Sequence, residues 1–357
     1  MLKKLLFTFL IIVSFALGWL LRSFYSKSEA EIILDKGLTQ IKEKPLEKYT
    51  FENLSKTEIE AGKFEIKESL KKEEEFESFL FTYEFNPNLD GKTYKKISGQ
   101  INLPTLQGSE PSLNNPVILM FRGYIDQTLY RTGDGTRNAS EYFAKEGFIT
   151  IAPDFLGYGG SDSEAENIFE TRFQTYVTAI SLVSFLDQIN NNSKLISDPS
   201  QLTNQLINHS SVFLWGHSNG GQIALTTLEI TGANYPTTLW APVSKPFPYS
   251  VLYYTDDSED HGKLIRSELA KLEADYDVEK YSLTNYLERI NAPIQIHQGE
   301  EDEAVPLAWS NTLVNLLKQK GKDVTYYTYP KTDHNMRPNW DNVVEQDLEF
   351  FKSHLNN

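Results

Sequence analysis

The chain contains no cysteine. That one absence excludes a thiol nucleophile, a cysteine-ligated zinc site, a disulfide framework and a lipidated cysteine. Histidine is scarce, with 6 in 357 residues, so chemistry that needs an imidazole has few positions to draw on. Basic charge is in deficit, 34 Lys and Arg against 49 Asp and Glu, which leaves a formal charge of -15. A surface of that sign repels phosphate backbones and argues against a nucleic-acid partner; its ordinary role is solubility. What is plentiful is aromatic: 13% of the chain, within a hydrophobic share of 40% and a charged share of 23%. That balance belongs to a folded chain, with a well-filled core or an aromatic-lined pocket.

The longest apolar run lies at the amino terminus. Lys3-Lys4 precedes Leu5 to Leu21, and Arg22 follows. A run of that length is at the short end of what crosses a bilayer as a helix, and two lysines before an apolar segment also describe a secretory signal. The nearest small-x-small pattern, Ser28-Glu29-Ala30, lies several residues beyond the run, so residues 1–22 read as an uncleaved signal anchor, with a cleaved signal as the alternative. Lys3, Lys4 and the free amine outweigh Arg22 and Lys27, which Glu29, Glu31 and Asp35 dilute. The positive-inside tendency then places the lipid bilayer among the partners and the following domain outside the cytoplasm.

Residues 23–75 are rich in Lys and Glu and read as a polar stalk or lead-in. Alternation begins at Phe76–Phe85 and resumes at Lys96–Pro104 across the turn chemistry of Asn86–Gly91, which predicts antiparallel edge strands. From Pro116 the pattern changes. Val117–Phe121 is continuously apolar, as a strand buried on both faces of a parallel sheet must be. Similar runs follow at Phe148–Ala152, Val212–Trp215, Thr238–Ala241, Ile294–His297 and Thr325–Tyr329. Helix-like stretches separate them, among them Ile168–Ile189 and Gln222–Ile230. Strand–helix alternation predicts an α/β, doubly wound, mostly parallel sheet over residues 76–357. Val243 to Leu287 interrupts the alternation and reads as a small helical insertion covering the site.

The chemistry concentrates in three places. The run Val212–Trp215 ends at Gly216-His217-Ser218-Asn219-Gly220, a G-x-S-x-G pattern between a strand and a helix. Such a turn strains the serine backbone, needs neighbours without Cβ atoms, and projects the hydroxyl at a helix amino end. Ser218 is therefore the candidate nucleophile. A serine hydroxyl needs a base to take its proton and an acid to orient that base. Beyond the strand at Ile294–His297 comes Gly299-Glu300-Glu301-Asp302-Glu303-Ala304-Val305-Pro306. Asp302 is the candidate acid by its offset from Gly299 and Val305-Pro306, with Glu301 and Glu303 as alternatives. His334, in the loop Pro330–Asn335 after the last strand, is the candidate base; His209, His261, His297 and His354 fail on order or placement, and His217 sits inside the turn itself. A tetrahedral intermediate also needs oxyanion donors. The backbone N–H of Asn219 and that of Tyr124, in the loop after Val117–Phe121, are the candidates. Phe247, Tyr249, Tyr253 and Tyr254 are candidate pocket walls by aromatic density, with lid or core packing as the alternative reading.

The stretch from about residue 97 to 355 resembles the α/β-hydrolase catalytic domain of the prolyl-oligopeptidase-type (S9) serine peptidases and their esterase relatives. The features that carry the likeness are Gly216–Gly221, Asp302 before Val305-Pro306, His334, and the D-x-x-G-x-G-x-S turn at Asp154–Ser161. The resemblance implies hydrolysis of a peptide or ester bond through an acyl-enzyme, with no metal and no cofactor. Two departures stand out: Arg122-Gly123 replaces the usual His-Gly of the oxyanion loop, and residues 23–96 are too few for the β-propeller that filters peptides in that family. A carboxylesterase or lipase-like enzyme is the nearest alternative. A non-catalytic hydrolase-fold binding module at the membrane is the alternative of another class.

Overall fold

The computed structural model describes residues 43–105, 115–189, 192–197, 211–255 and 258–355. The chain divides into Met1–Pro45 and Leu46–Asn357; the second unit carries the fold. The expected anchor over residues 1–22 lies outside the described residues, and among the described residues no helix is long and apolar enough to cross a membrane.

Ten strands form one sheet: β1 (Lys63–Lys72), β2 (Phe76–Phe85), β3 (Lys95–Pro104), β4 (Val117–Phe121), β5 (Ile149–Pro153), β6 (Ile196–Ser197), β7 (Val212–His217), β8 (Thr237–Trp240), β9 (Ile294–Gly299) and β10 (Val324–Tyr329). Their order is β10-β9-β8-β7-β4-β5-β3-β2-β1-β6. The block from β10 to β5 is parallel throughout, and β5, β3, β2 and β1 join antiparallel. Strands β4, β5, β7, β8 and β9 are buried along their whole length because helices cover both faces. One face holds Ile168–Ile189 and Asn219–Thr231, around Phe173, Leu214 and Leu225. The other holds Arg137–Lys145 and Trp340–Ser353, around Trp215, Trp240 and Phe351.

The polar lead-in read over residues 23–75 is, from Leu46 on, part of the folded unit. Leu46, Tyr49, Phe51 and Leu54 are buried, and β1 pairs with β2 through Phe64 and Ile66. Most other positions of β1 are charged or half-exposed, so only two inward side chains mark it as a strand. The segment Val243–Leu287 does connect β8 to β9, and it carries the helix Lys263–Asp275. Its later part is not a detached cover, however: Tyr281, Leu283 and Leu287 are core residues.

Candidate active site

Strand β7 ends at His217, and the helix Asn219–Thr231 begins one residue after Ser218. Ser218 has φ 59 and ψ -119, a strained backbone for a residue with a side chain. Its own backbone bonds hold that strain: its N–H donates to Trp240 O at 2.8 Å, and its carbonyl accepts from Gly221 and Val243 at 3.0 Å each. The turn also needs bare backbone at Gly220, where an added Cβ would stand 1.9 Å from Phe121 O. The strand β4, paired with β7 through Phe121 and Gly216, can therefore pass directly over the turn.

The acid and the imidazole come from neighbouring strand ends. An added Cβ at Gly299 would meet Thr332 O at 2.3 Å, so the glycine lets the loop after β10 close onto the loop after β9. A bond from Glu301 N to Thr332 O at 3.0 Å ties the two loops together. His334 Nδ1 then lies 2.8 Å from Asp302 Oδ2. Of the three carboxylates considered, Asp302 is buried while Glu301 and Glu303 are exposed. Asp302 Oδ1 accepts from the amides of Ala304 at 2.9 Å and Val305 at 2.8 Å, and Oδ2 also accepts from Gln298 Nε2 at 3.0 Å. Burial pushes its pKa up, but the His334 bond, the His334 charge and the two amides pull it below the ordinary carboxylate value. It is an anion built to be an anion.

His334 packs against the residue next to Ser218: the rings of His217 and His334 are 4.6 Å apart, and His217 Nε2 lies 2.9 Å from His334 O. Among the described residues the Ser218 hydroxyl makes no hydrogen bond to the His334 ring. With Nδ1 held by Asp302, Nε2 is the nitrogen left to face a reacting group. Sequence reasoning set His217 aside, yet it supports His334 from behind; only its place within the turn hinted at this. Gln298, buried and bonded to both Asp302 and Ser310, was also missed.

The loop after β4 lies over Ser218. An added Cβ at Gly123 would sit 3.0 Å from Ser218 Cβ and 3.6 Å from its Oγ. Arg122 lies in a buried cage, its guanidinium 3.9 Å from the Tyr158 ring centre and 4.5 Å from that of Tyr130. Its Nη2 donates to Asp154 O at 3.0 Å and its Nη1 to Gly123 O at 2.9 Å. A trans peptide points its N–H opposite its carbonyl, so holding Gly123 O turns the Tyr124 N–H away from Arg122. Neither the Tyr124 amide nor the Asn219 amide donates a hydrogen bond among the described residues. The Tyr124 side chain itself is exposed.

Of the four aromatic candidates, Phe247 is corrected: it is 1% exposed and packs on Phe169 and Phe173 at 5.8 and 6.1 Å, as core. Tyr249, Tyr253 and Tyr254 are exposed. Tyr253 lies 4.8 Å from Trp309, and the Tyr254 hydroxyl donates to Ala304 O at 3.2 Å, beside the acid loop. Among the described residues no group of His, Asp and Glu is arranged to hold a metal ion.

A family model described as the prolyl oligopeptidase family matches residues 136–357. Among curated proteins, Dipeptidyl peptidase family member 6 of Caenorhabditis elegans is 28% identical over 140 residues, covering 37% of this chain. The match spans only 18% of that relative's length. Among solved structures, an acetyl xylan esterase from Paenibacillus sp. R4 superposes with a TM-score of 0.58 at 16% identity, over 84% of this chain and 91% of the esterase. A puromycin-hydrolyzing peptidase of Mycobacterium tuberculosis superposes with a TM-score of 0.52 at 18% identity, over 78% of this chain and 37% of the peptidase. At these identities the likeness is one of fold.

Proposed function

The chain belongs to the prolyl oligopeptidase family, and on that premise we propose that it is a serine hydrolase cleaving a peptide or other acyl bond through an acyl-enzyme on Ser218. The observation that carries this reading is the buried Asp302 carboxylate bonded to His334 Nδ1 at 2.8 Å, behind a serine at a strained strand-to-helix turn. In the proposed reaction the Ser218 oxygen attacks the carbonyl carbon as its proton passes to His334 Nε2. The amides of Asn219 and Tyr124 hold the oxyanion, and His334 gives its proton to the leaving group. Water, deprotonated by the same imidazole, then releases the acid product and restores Ser218. Asp302 stabilises the imidazolium in both halves.

A carboxylesterase is the second reading. It is favoured because the fold occupies nearly the whole of the acetyl xylan esterase while filling about a third of the peptidase. Turnover of aminoacyl amides against aryl esters decides between the two: amide hydrolysis supports the peptidase, and hydrolysis of unactivated esters alone supports the esterase. Loss of neither activity in Ser218→Ala contradicts the whole reading.

We also propose that the apolar run Leu5–Leu21 tethers the enzyme to a bilayer with the hydrolase unit outside the cytoplasm; the supporting feature is its flanking Lys3-Lys4. Sedimentation with membranes through alkaline carbonate washing, together with protease accessibility in intact cells, tests both halves. A full-length chain found free in the soluble fraction contradicts the tether, and a tethered chain inaccessible to protease contradicts the orientation.

A further inference from the structure

The helix Ile168–Ile189 carries a guanidinium that the mechanism above does not use. Arg172 is half-buried, and among the described residues it has no carboxylate partner. In a chain with 49 acidic and 34 basic residues, a cation is easily given a counter-charge, so one left without it stands out. Arg172 Nη2 donates to Gln222 Oε1 at 2.7 Å, and its buried Nε has no acceptor. A neutral amide positions a guanidinium but leaves its charge uncompensated.

The surroundings of Arg172 tie it to the site from two sides. Gln222 lies one turn along the helix that starts after Ser218, and its backbone N–H reaches Ser218 O at 3.4 Å. On the other side, the charges of both Asp302 and Arg172 act on the Tyr254 phenol, which bonds to Ala304 O. Gln222 thus links Arg172 to the turn beneath Ser218, and the phenol of Tyr254, which reaches the acid loop, lies within range of its charge.

The sheet decides which part of a substrate Arg172 meets. His217, against which His334 packs, has its ring next to Trp215 and Trp240, on the face covered by Trp340–Ser353. A cavity of about 360 Å³ opens on that side, lined by His217, Trp240 and Asn335 among others. The leaving group must lie beside the imidazole that protonates it. Arg172 is carried by the helix Ile168–Ile189 on the opposite face, with Phe169, Phe173 and Leu225, away from that imidazole.

We propose that Arg172 is a specificity-determining residue that binds a carboxylate on the acyl portion of the substrate. The preferred substrates are then half-esters or half-amides of dicarboxylic acids, or acidic acyl groups of similar reach. A planar, permanently charged fork suits a carboxylate better than an ammonium does. This inference rests on the hydrolase reading.

The test compares kcat/KM for p-nitrophenyl hemisuccinate and p-nitrophenyl butyrate in the wild type, Arg172→Lys and Arg172→Met, with fluorophosphonate labelling run on each. The wild type should favour the hemisuccinate, and the preference should fall by about 10- to 100-fold in Arg172→Met, with Arg172→Lys between. Glutarate should also inhibit the wild type more tightly than butyrate does, a comparison that needs no variant to fold. Equal use of the two esters by a wild type that labels normally overturns this inference alone, as does a preference unchanged in Arg172→Met. A folded wild type that neither labels nor turns over either ester overturns the hydrolase reading and this inference with it.

Discussion

His217 donates its Nε2 hydrogen to the main-chain oxygen of His334 at 2.9 Å, with the two rings 4.6 Å apart. A carbonyl only accepts, so the tautomer of His217 is fixed. Burial, followed by the charge of the neighbouring imidazole, lowers its pKa to about 4. In the proposed reaction His217 therefore stays neutral while His334 carries the proton, and two adjacent imidazoles avoid sharing a positive charge.

A pH profile follows from that pairing. In the proposed reaction His334 must be unprotonated to take the Ser218 proton, so kcat/KM should fall with acid as one proton is added. His217 adds no second proton above about pH 5, because its folded pKa lies near 4. Asp302, held below the ordinary carboxylate value, stays ionised over the same range. The check is the limiting slope of log kcat/KM on the acid limb of the profile, above about pH 5. A slope of one fits the pairing, and a slope approaching two contradicts it.

Arg122 should act on rate more than on binding. By holding Gly123 O at 2.9 Å it sets the direction of the Tyr124 amide, the donor proposed for the oxyanion. Arg122→Lys keeps the charge but loses the planar fork, and should lower kcat about 10- to 100-fold with KM shifted far less. Steady-state kinetics on one ester suffices. A change confined to KM contradicts the assignment, and an equal loss of folded protein, read by thermal melting, points to a structural role alone.

Glu229 is a stability liability at neutral pH. It is 1% exposed on the helix after Ser218, and neither carboxylate oxygen has a hydrogen-bond partner among the described residues. Burial raises its pKa well above the ordinary glutamate value. The folded state thus binds the proton more tightly than the unfolded chain, so stability drains away as pH rises above the unfolded pKa of about 4.3. Glu229→Gln should raise the Tm at pH 7 by several degrees and give no advantage near pH 4. Melting curves for both proteins at the two pH values check it; a stabilisation of equal size at both contradicts the ionisation account.

The parallel half of the sheet was legible because burial on both faces leaves unbroken apolar runs, as at Val117–Phe121 and Ile294–His297, and the helix Ile168–Ile189 was read to both ends. Gly216–Gly220 was legible because a turn packed under β4 admits few residues other than glycine. Strand β1 was not: its only deeply buried side chains are Phe64 and Ile66, and the lysines and glutamates around them imitate a solvated linker. Aromatic density near Phe247 gave no direction, because a ring that fills a core and a ring that lines a pocket leave the same trace in sequence. Arg122 and Arg172 take their meaning from partners far along the chain, Tyr158 and Gln222, which no local pattern connects.

Intact-mass analysis after treatment with a fluorophosphonate tests the central claim most directly. One adduct should form on the folded wild type and map to the peptide bearing Ser218. Ser218→Ala should stay unmodified, and His334→Ala should react slower by about a thousandfold or more. An adduct on another residue, or equal labelling of the wild type and Ser218→Ala, contradicts the account.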